Sequence, residues 1–399
     1  MKNAEPEIGQ LHDDWSHGSP WKGRGKLSDL VAELDRQKAS KIDFVADQRD
    51  LSVFGTTDGK ILLDAKTAQV GEWLTKVTPF TPHALRQFGQ RISPPVDGKF
   101  MLAASEERSA AWASYLSHCM ENTSKRQLWR LLDGNVRAVL SDQFRIIDNF
   151  DVAFSALNAV RDNGGEVIEC TLSETGLMRL KFTTRDVFDT LEATKNDGNA
   201  GAGGLGNQEH LSRVSARHSH DMPGGPNTVH PLVTIGNSET GGGCYYTRSG
   251  ILQSCCYNLA TVETVVQKVH LGSKLESGIF SAETVETENK AIMLKARDAI
   301  NAAFDVRTFK KIVDKVRGST SNEIEAPTSA VDNVVKNTDI SPDQRDSLLQ
   351  YFVKDYNQTQ YGLAQAVGRL AQDQDDPEKA NDMEDIAGKL MTSDALAKA

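Results

Sequence analysis

The sequence predicts an α+β protein, with an antiparallel or mixed sheet packed by helices and a helical C-terminal region. Between Val136 and Arg185 the apolar period passes from that of a strand to that of a helix and back to two strands. From Pro231 to Asn258, two apolar runs flank the polar, glycine-rich NSETGGG patch of Asn237 to Gly243. Such a patch marks a backbone that turns tightly or approaches a ligand or partner closely. Helical spacing then resumes after Ser281 and again at Ser341-Pro342-Asp343, where proline occupies a first helical position.

Taken in order, residues 1–40 form a polar arm containing Trp15 and Trp21, with a short helix near Leu27 to Gln37. Residues 42–64 alternate as a hairpin that turns at Thr57-Asp58-Gly59. Thr81 or Thr78 caps a helix through Ala84, Leu85 and Phe88, stopped by Ser93-Pro94-Pro95. A longer helix is expected over 106–131, because Ala111, Trp112, Tyr115, Leu116 and Cys119 recur at helical spacing and Leu128, Trp129 and Leu132 extend the stripe.

VRAVLS then reads as a strand. Asp148-Asn149 caps a helix over about 151–162, and Gly164-Gly165 ends it. EVIECTL and LMRLKFTT are strands joined by a turn at Ser173 to Gly176. Ile168, Cys170 and Leu172 share one face, as do Met178, Leu180 and Phe182. Gln253 to Gly272 suggests a strand or short helix leading into a helix. A helix capped by Ser281 runs to about Phe304, and another to about Arg317. Leu348, Leu349, Phe352 and Tyr356 place a further helix after Ser341.

These readings divide the chain into the arm at 1–40, an α+β core at 41–275, a basic helical segment at 276–318 and an acidic, partly helical tail at 319–399. Residues 189–229, rich in Gly, Asn, Ser and His, form a flexible insertion within the core.

With 39% hydrophobic and 25% charged residues, the composition is that of a soluble globular chain. No apolar run approaches the roughly 18 residues of a membrane span, so no membrane partner is expected. The opening MKNAEPEIGQLHDDW lacks the apolar core of a secretory signal, which predicts a cytoplasmic protein. Cys119, Cys170, Cys244, Cys255 and Cys256 are an odd set without paired CxxC spacing, the pattern of reduced thiols.

The net charge of −10 conceals a polarity along the chain. Lys290, Lys295, Arg297, Arg307, Lys310, Lys311, Lys315 and Arg317 face only Asp298, Asp305 and Asp314 in their segment. From Ser319 onward, fifteen acidic residues outnumber seven basic ones.

Signatures of common chemistry are incomplete. Gly201 to Gly206 satisfies G-x-G-x-x-G but lacks the strand before it and the helix after it that a dinucleotide site needs. The glycines at 241–243 lack a following Lys-Ser/Thr, so ATP is not indicated. His210, His218, His220, His230 and Cys244 have no familiar zinc spacing, and neither metal nor cofactor is expected. Ser238, Glu239 and His270 contain the residue types of a hydrolytic triad, but NSETG lacks the nucleophile elbow. Cys255-Cys256 has apolar surroundings that favour inert packing.

A better lead is the second face of LMRLKFTT, where Arg179, Lys181, Thr183 and Arg185 follow each other at period two. This pattern is either an ordinary solvated face or a track for a phosphate backbone.

RAVLSDQFRIIDN with Arg137, Ser141, Asp148 and Asn149, NSETGGG with Asn237, Ser238, Glu239 and Gly241, the Cys256-Tyr257-Asn258 step and His270-Leu271-Gly272 occur in a recognisable order. Together with TPFTPHALRQFGQRISPP upstream, they resemble the domain-of-unknown-function 932 family, found largely in phages, plasmids and integrated elements. The resemblance covers roughly residues 40–275, and TQYGLAQAVGRLAQD from Thr359 resembles a C-terminal segment of phage and plasmid members. The family commonly follows its cysteine-x-asparagine step with glycine, whereas this chain has Leu259. The resemblance implies a setting in mobile elements and no particular reaction.

The leading expectation is a nucleic-acid-binding protein that handles single-stranded DNA in recombination or strand annealing. Arg179, Lys181 and Arg185 would contact phosphates, Lys310, Lys311 and Lys315 would extend the groove, and Tyr245 and Tyr246 would stack bases beside an NSETGGG turn facing that groove. Homo-oligomerisation would add avidity. The alternatives are a hydrolase or nuclease using Glu239 with His270, and a host-interaction protein that neutralises a defence factor.

Overall fold

In a computed structural model, the described residues are 27–92, 95, 98–191, 227–253, 258–268, 282–374 and 376–393. The fold is α+β, with antiparallel sheets and a helical C-terminal region.

Helix α1 (Leu27–Ser40) buries Leu30, Val31 and Leu34 at helical spacing and runs directly into strand β1 (Lys41–Asp47). Strands β2 (Leu51–Gly55) and β3 (Ile61–Ala65) make a hairpin, turning where Gly59 takes a φ of +85°. The expected turn is present, but β1 belongs to a different sheet. A short helix α2 (Ala68–Gly71) leads to β4 (Thr78–Pro79), which completes the sheet β2-β3-β4. Helix α3 (Pro82–Arg91) has proline in its first turn and is capped by Thr81, whose hydroxyl accepts from the Ala84 amide at 3.2 Å.

Helix α4 (Gly98–Asn122) stops well short of the expected end. Leu128, Trp129 and Leu132 lie on β5 (Arg126–Leu132), where residues 127–131 are all buried. A strand enclosed on both faces loses its polar alternation, so the apolar stripe could be read at helical spacing. β5 returns through Asp133 and Gly134, both at positive φ, into β6 (Asn135–Ser141). The resulting sheet is β1-β5-β6, with Trp129 packed against Phe88 at 5.5 Å between ring centroids.

Helix α5 (Asn149–Asp162) follows, and Gly164 at φ +63° ends it. The main sheet is then built from β7 (Gly165–Leu172), β8 (Leu177–Thr184), β9 (Asp189–Thr190), β10 (Thr228–Ser238), β11 (Tyr245–Gln253) and β12 (Leu259–Lys268). Its order is β12-β11-β10-β8-β7, and β9 pairs with the start of β10. Cys170, Met178, Leu180, Phe182, Val233, Ile235 and Tyr245 form one hydrophobic cluster with α1, α5 and α6 (Ala282–Ala303).

Alternation along the strands sends Leu232 to the other side. There Leu252, Leu259 and Ala260 join the buried residues of α7 (Val306–Arg317), α8 (Pro327–Asn337), α9 (Arg345–Asp355), α10 (Gln360–Gln372) and α11 (Pro377–Thr392). The acidic C-terminal region is thus one layer of the domain rather than an appendage. Helix α10 is buried along nearly its whole length, and each fully buried Leu or Phe in this cluster contributes about 1.5–3 kcal/mol. The expected arm before residue 27 and most of the expected insertion lie outside the described residues.

Candidate functional site

The cationic face of β8 is neither solvated nor open to a polynucleotide. Lys181 stands between Thr234 on β10 and Glu169 on β7. Its Nζ lies 2.9 Å from Glu169 Oε2 and 2.7 Å from Glu384 of α11, and all three side chains are buried. One step along β8, Arg179 donates from Nε to the Tyr246 hydroxyl at 3.2 Å. The Arg248 guanidinium lies over the Tyr246 ring at 4.2 Å and pairs with Asp385 of α11.

Helix α11 brings this about because its period places Met383, Ile386, Ala387 and Leu390 in the hydrophobic cluster and Glu384 and Asp385 against the cations. Arg179 and Lys181 are therefore removed as phosphate contacts. Arg185, beyond the covered stretch, pairs with Glu166 at 2.7 Å and is 38% exposed.

The tyrosines are also enclosed. Tyr245 projects into the α5 and α6 side, bonds Thr247 through its hydroxyl at 2.9 Å, and has its pKa pushed up to about 12 by burial. Tyr246 lies across Gly236, where an added Cβ would fall 2.3 Å from the ring Cζ. Neither ring presents a face for base stacking.

The NSETGGG segment forms a buried corner, not the rim of a groove. Asn237, Ser238 and Glu239 have no exposed surface. Glu239 Oε1 accepts from Lys41 Nζ at 2.6 Å and from the Asn149 amide at 2.6 Å, while Oε2 is ion-paired with Arg137 at 2.8 Å. The carboxylate thus sits at the first turn of α5, where Asp148 provides no side-chain cap. Burial would raise the Glu239 pKa, but Arg137, Lys41 and Arg130 outweigh it and hold the carboxyl at about 2.

Arg130 forks onto Asp43 at 2.9 and 2.7 Å and donates from Nη1 to the Glu239 carbonyl at 2.5 Å. Burial alone would lower its pKa, yet the Asp43 carboxylate keeps it raised. Asn237 Nδ2 donates to Asn149 Oδ1 at 2.7 Å and to the Ile147 carbonyl at 2.9 Å. Gln87 of α3 joins the corner to β6, donating to the Thr240 carbonyl at 2.7 Å while accepting from the Val139 amide at 3.0 Å. Gly241 adopts φ +79°, and a Cβ there would meet Leu140 at 2.7 Å. An ionised carboxylate with both oxygens engaged suits an electrostatic lock between the sheets better than proton transfer.

Lys310, Lys311 and Lys315 are exposed, as are Lys290, Lys295, Arg297 and Arg307. Helix α7 turns Phe309, Ile312, Val313 and Val316 inward. Arg307, Lys311 and Lys315 consequently form one ridge on its outer face. Arg317 at the end of this helix reaches Asp189 at 3.5 Å, and the neighbouring Phe188 is 51% exposed.

Among the remaining candidates, Asn258 is a buried hub. Its Nδ2 donates to the Tyr356 hydroxyl at 2.9 Å and to Gln365 Oε1 at 2.7 Å, and its Oδ1 accepts from Gln372 at 2.6 Å. Leu259 is buried in the cluster beside it. Ser141 is exposed and accepts from the Gln143 amide at 3.2 Å, shaping the turn after β6. His230 is buried, with Nδ1 3.1 Å from the Thr184 carbonyl. Gly201 to Gly206, His210, His218, His220, Cys255, Cys256 and His270 lie outside the described residues.

Sequence reasoning missed Lys41, Asp43 and Arg130, and also Glu169 with Glu384. The available signal was Arg130 inside the apolar run QLWRLL, since a charge within a buried strand requires a partner. Among the described residues, no group of His, Cys, Asp or Glu is arranged to hold a metal ion, and no helix is long and apolar enough to cross a membrane. Comparison with protein-family models, curated proteins and solved structures finds no match to this chain.

Proposed function

We propose that this protein binds single-stranded nucleic acid along the outer face of α7 and the adjoining sheet edge at Phe188. The observation that carries this reading is the ridge of Arg307, Lys311 and Lys315, exposed on a helix whose opposite face is anchored in the core. Lys310 lies beside the ridge, and Lys295 and Arg297 add exposed positive charge on α6. Phe188 supplies an aromatic surface to a base while neighbouring cations follow the phosphates, the combination used by sequence-tolerant single-strand binders.

Strand annealing in a phage, plasmid or integrated element, as the motif resemblance implies, needs alignment and release without nucleotide hydrolysis. Assembly of several copies in the cytoplasm would extend the binding surface by avidity. The enzyme alternative gains no support from Glu239, whose carboxylate is locked by Lys41, Arg137 and the start of α5.

The test is binding of a labelled oligo(dT) across a salt series. Wild type should bind at low salt, and Arg307→Glu/Lys311→Glu should weaken binding at least tenfold. The slope of log affinity against log salt should flatten by roughly 0.7 for each phosphate the variant no longer neutralises. Phe188→Ala should cost about 1–3 kcal/mol if a base stacks there. Absence of binding at low salt, or affinity unchanged by the charge reversal, would sink the proposal.

A further inference from the structure

Arg137 occupies a distinctive place in β6. Arg130 pairs with Ala138 and Leu131 pairs with Val136, so Arg137 is the extra residue of a β-bulge. Bulges re-aim a side chain away from the regular pleat. Here the residue points into the charged corner and is only 6% exposed. Its Nη1 meets Glu239, while Nε and Nη2 are buried with no hydrogen-bond acceptor among the described residues. Those two atoms carry the parallel N–H pair of the guanidinium fork, the edge that engages an oxyanion through two bonds at once. Leaving both donors unmatched in the interior is costly.

The surroundings restrict what can complete the fork. Lys41, Arg130 and Arg137 balance Asp43, Asp148 and Glu239 in formal charge. Glu239 is already held by Lys41 and Arg137, and Asp43 by Arg130. The Asp43 and Asp148 side chains, 22% and 37% exposed, mark the side on which the corner meets solvent. A doubly charged phosphate would face their repulsion. A singly charged group with two oxygens in one plane would match the fork and add little.

The geometry points to an oxyanion site at Arg137, taking a carboxylate or a phosphodiester through Nε and Nη2. This site is separate from the α7 surface, and its existence does not depend on nucleic-acid binding there.

The probes are acetate and dimethyl phosphate, with chloride at equal ionic strength as control. Wild-type melting temperature should rise saturably with at least one probe, and Arg137→Lys should weaken that dependence at least tenfold. Lysine retains the charge facing Glu239 while removing the fork. A crystal of the wild-type chain grown without either anion and then soaked should show the oxyanion within hydrogen-bond distance of both Nε and Nη2. No saturable effect with either probe overturns the site, as does an equal effect in Arg137→Lys. If that variant does not fold, the soaked wild-type crystal decides, and water or a side chain of this protein at the fork overturns the site. Preference for acetate or dimethyl phosphate distinguishes the two sources of the group.

Discussion

Lys181 on β8 has no exposed surface and lies between two carboxylates, whereas Lys311 on α7 faces solvent one turn from Arg307 and Lys315. Both belong to regularly spaced rows of cations, and each row lies opposite apolar residues. The difference comes from what packs against the second face. A strand inside a six-stranded sheet has two broad faces, and α11 covers the cationic one. Helix α7 lies at the surface and needs to bury only one stripe. Period and charge therefore identify an amphipathic element, but the neighbouring layer decides whether its polar side binds an external partner or an internal one.

The sharpest way to break this contrast is to remove charge from each row. Lys181→Ala would leave Glu169 and Glu384 facing each other in the interior, and chemical denaturation should show a loss of about 3–5 kcal/mol. Adding Glu169→Gln and Glu384→Gln should recover much of it. A single variant as stable as wild type would mean that the triad is not buried as described.

The Glu239 corner should respond to pH as well as to mutation. Its carboxyl has an ordinary value of 4.5 and is held at about 2 in the fold. Because the folded value is the lower one, the contribution is fully present above about pH 4.5 and is lost as pH falls toward 2. Its size is about 3 kcal/mol by proton linkage. Glu239→Gln should destabilise the protein by a similar amount near neutrality and flatten this part of the stability profile. An acid limb unchanged in the variant would assign the effect to other carboxyls.

A smaller loss is expected from Gly236→Ala, since the new methyl would enter the Tyr246 ring position and disturb the hydroxyl that receives Arg179. About 1–3 kcal/mol is appropriate for such overpacking. Tyr246→Phe, which removes the hydroxyl alone, should cost about 1 kcal/mol. Equal stability of Gly236→Ala and wild type would contradict the close approach.

At the low end, Arg307→Glu/Lys311→Glu should change stability by no more than about 0.5 kcal/mol while reducing oligonucleotide affinity. A large stability loss would show that the ridge serves the fold, removing the contrast with β8.

Much of the secondary structure was legible because its signals are local. Thr81 with Pro82 starts α3, and Gly164 ends α5 through its left-handed conformation. Met178, Leu180 and Phe182 share a core side with Cys170 and Leu172, as alternation on a strand requires. Ile168, expected on that side too, packs on the opposite one, because the register of β7 against β8 shifts between Val167 and Glu169. The end of α4 was not legible. Enclosure of β5 on both faces erased the alternation that separates a strand from a helix. The candidate site was less readable still. Glu239 was visible as part of an unusual loop, but its partners at positions 41, 130, 137 and 149 come from separate elements.

The amino-acid sequence by itself determined the α+β class, most helices and strands of the main unit, and the exposed basic character of α7. Those properties follow from periodicity, capping and the need of each element to bury its apolar side. Only the tertiary structure decided that the cations of β8 face the acids of α11 and that NSETGGG closes a corner against β1, β5 and β6. Both outcomes depend on which charges meet after layers distant in sequence pack together. Burial then makes an ion pair between remote residues compulsory where a local reading allowed a solvent-facing charge.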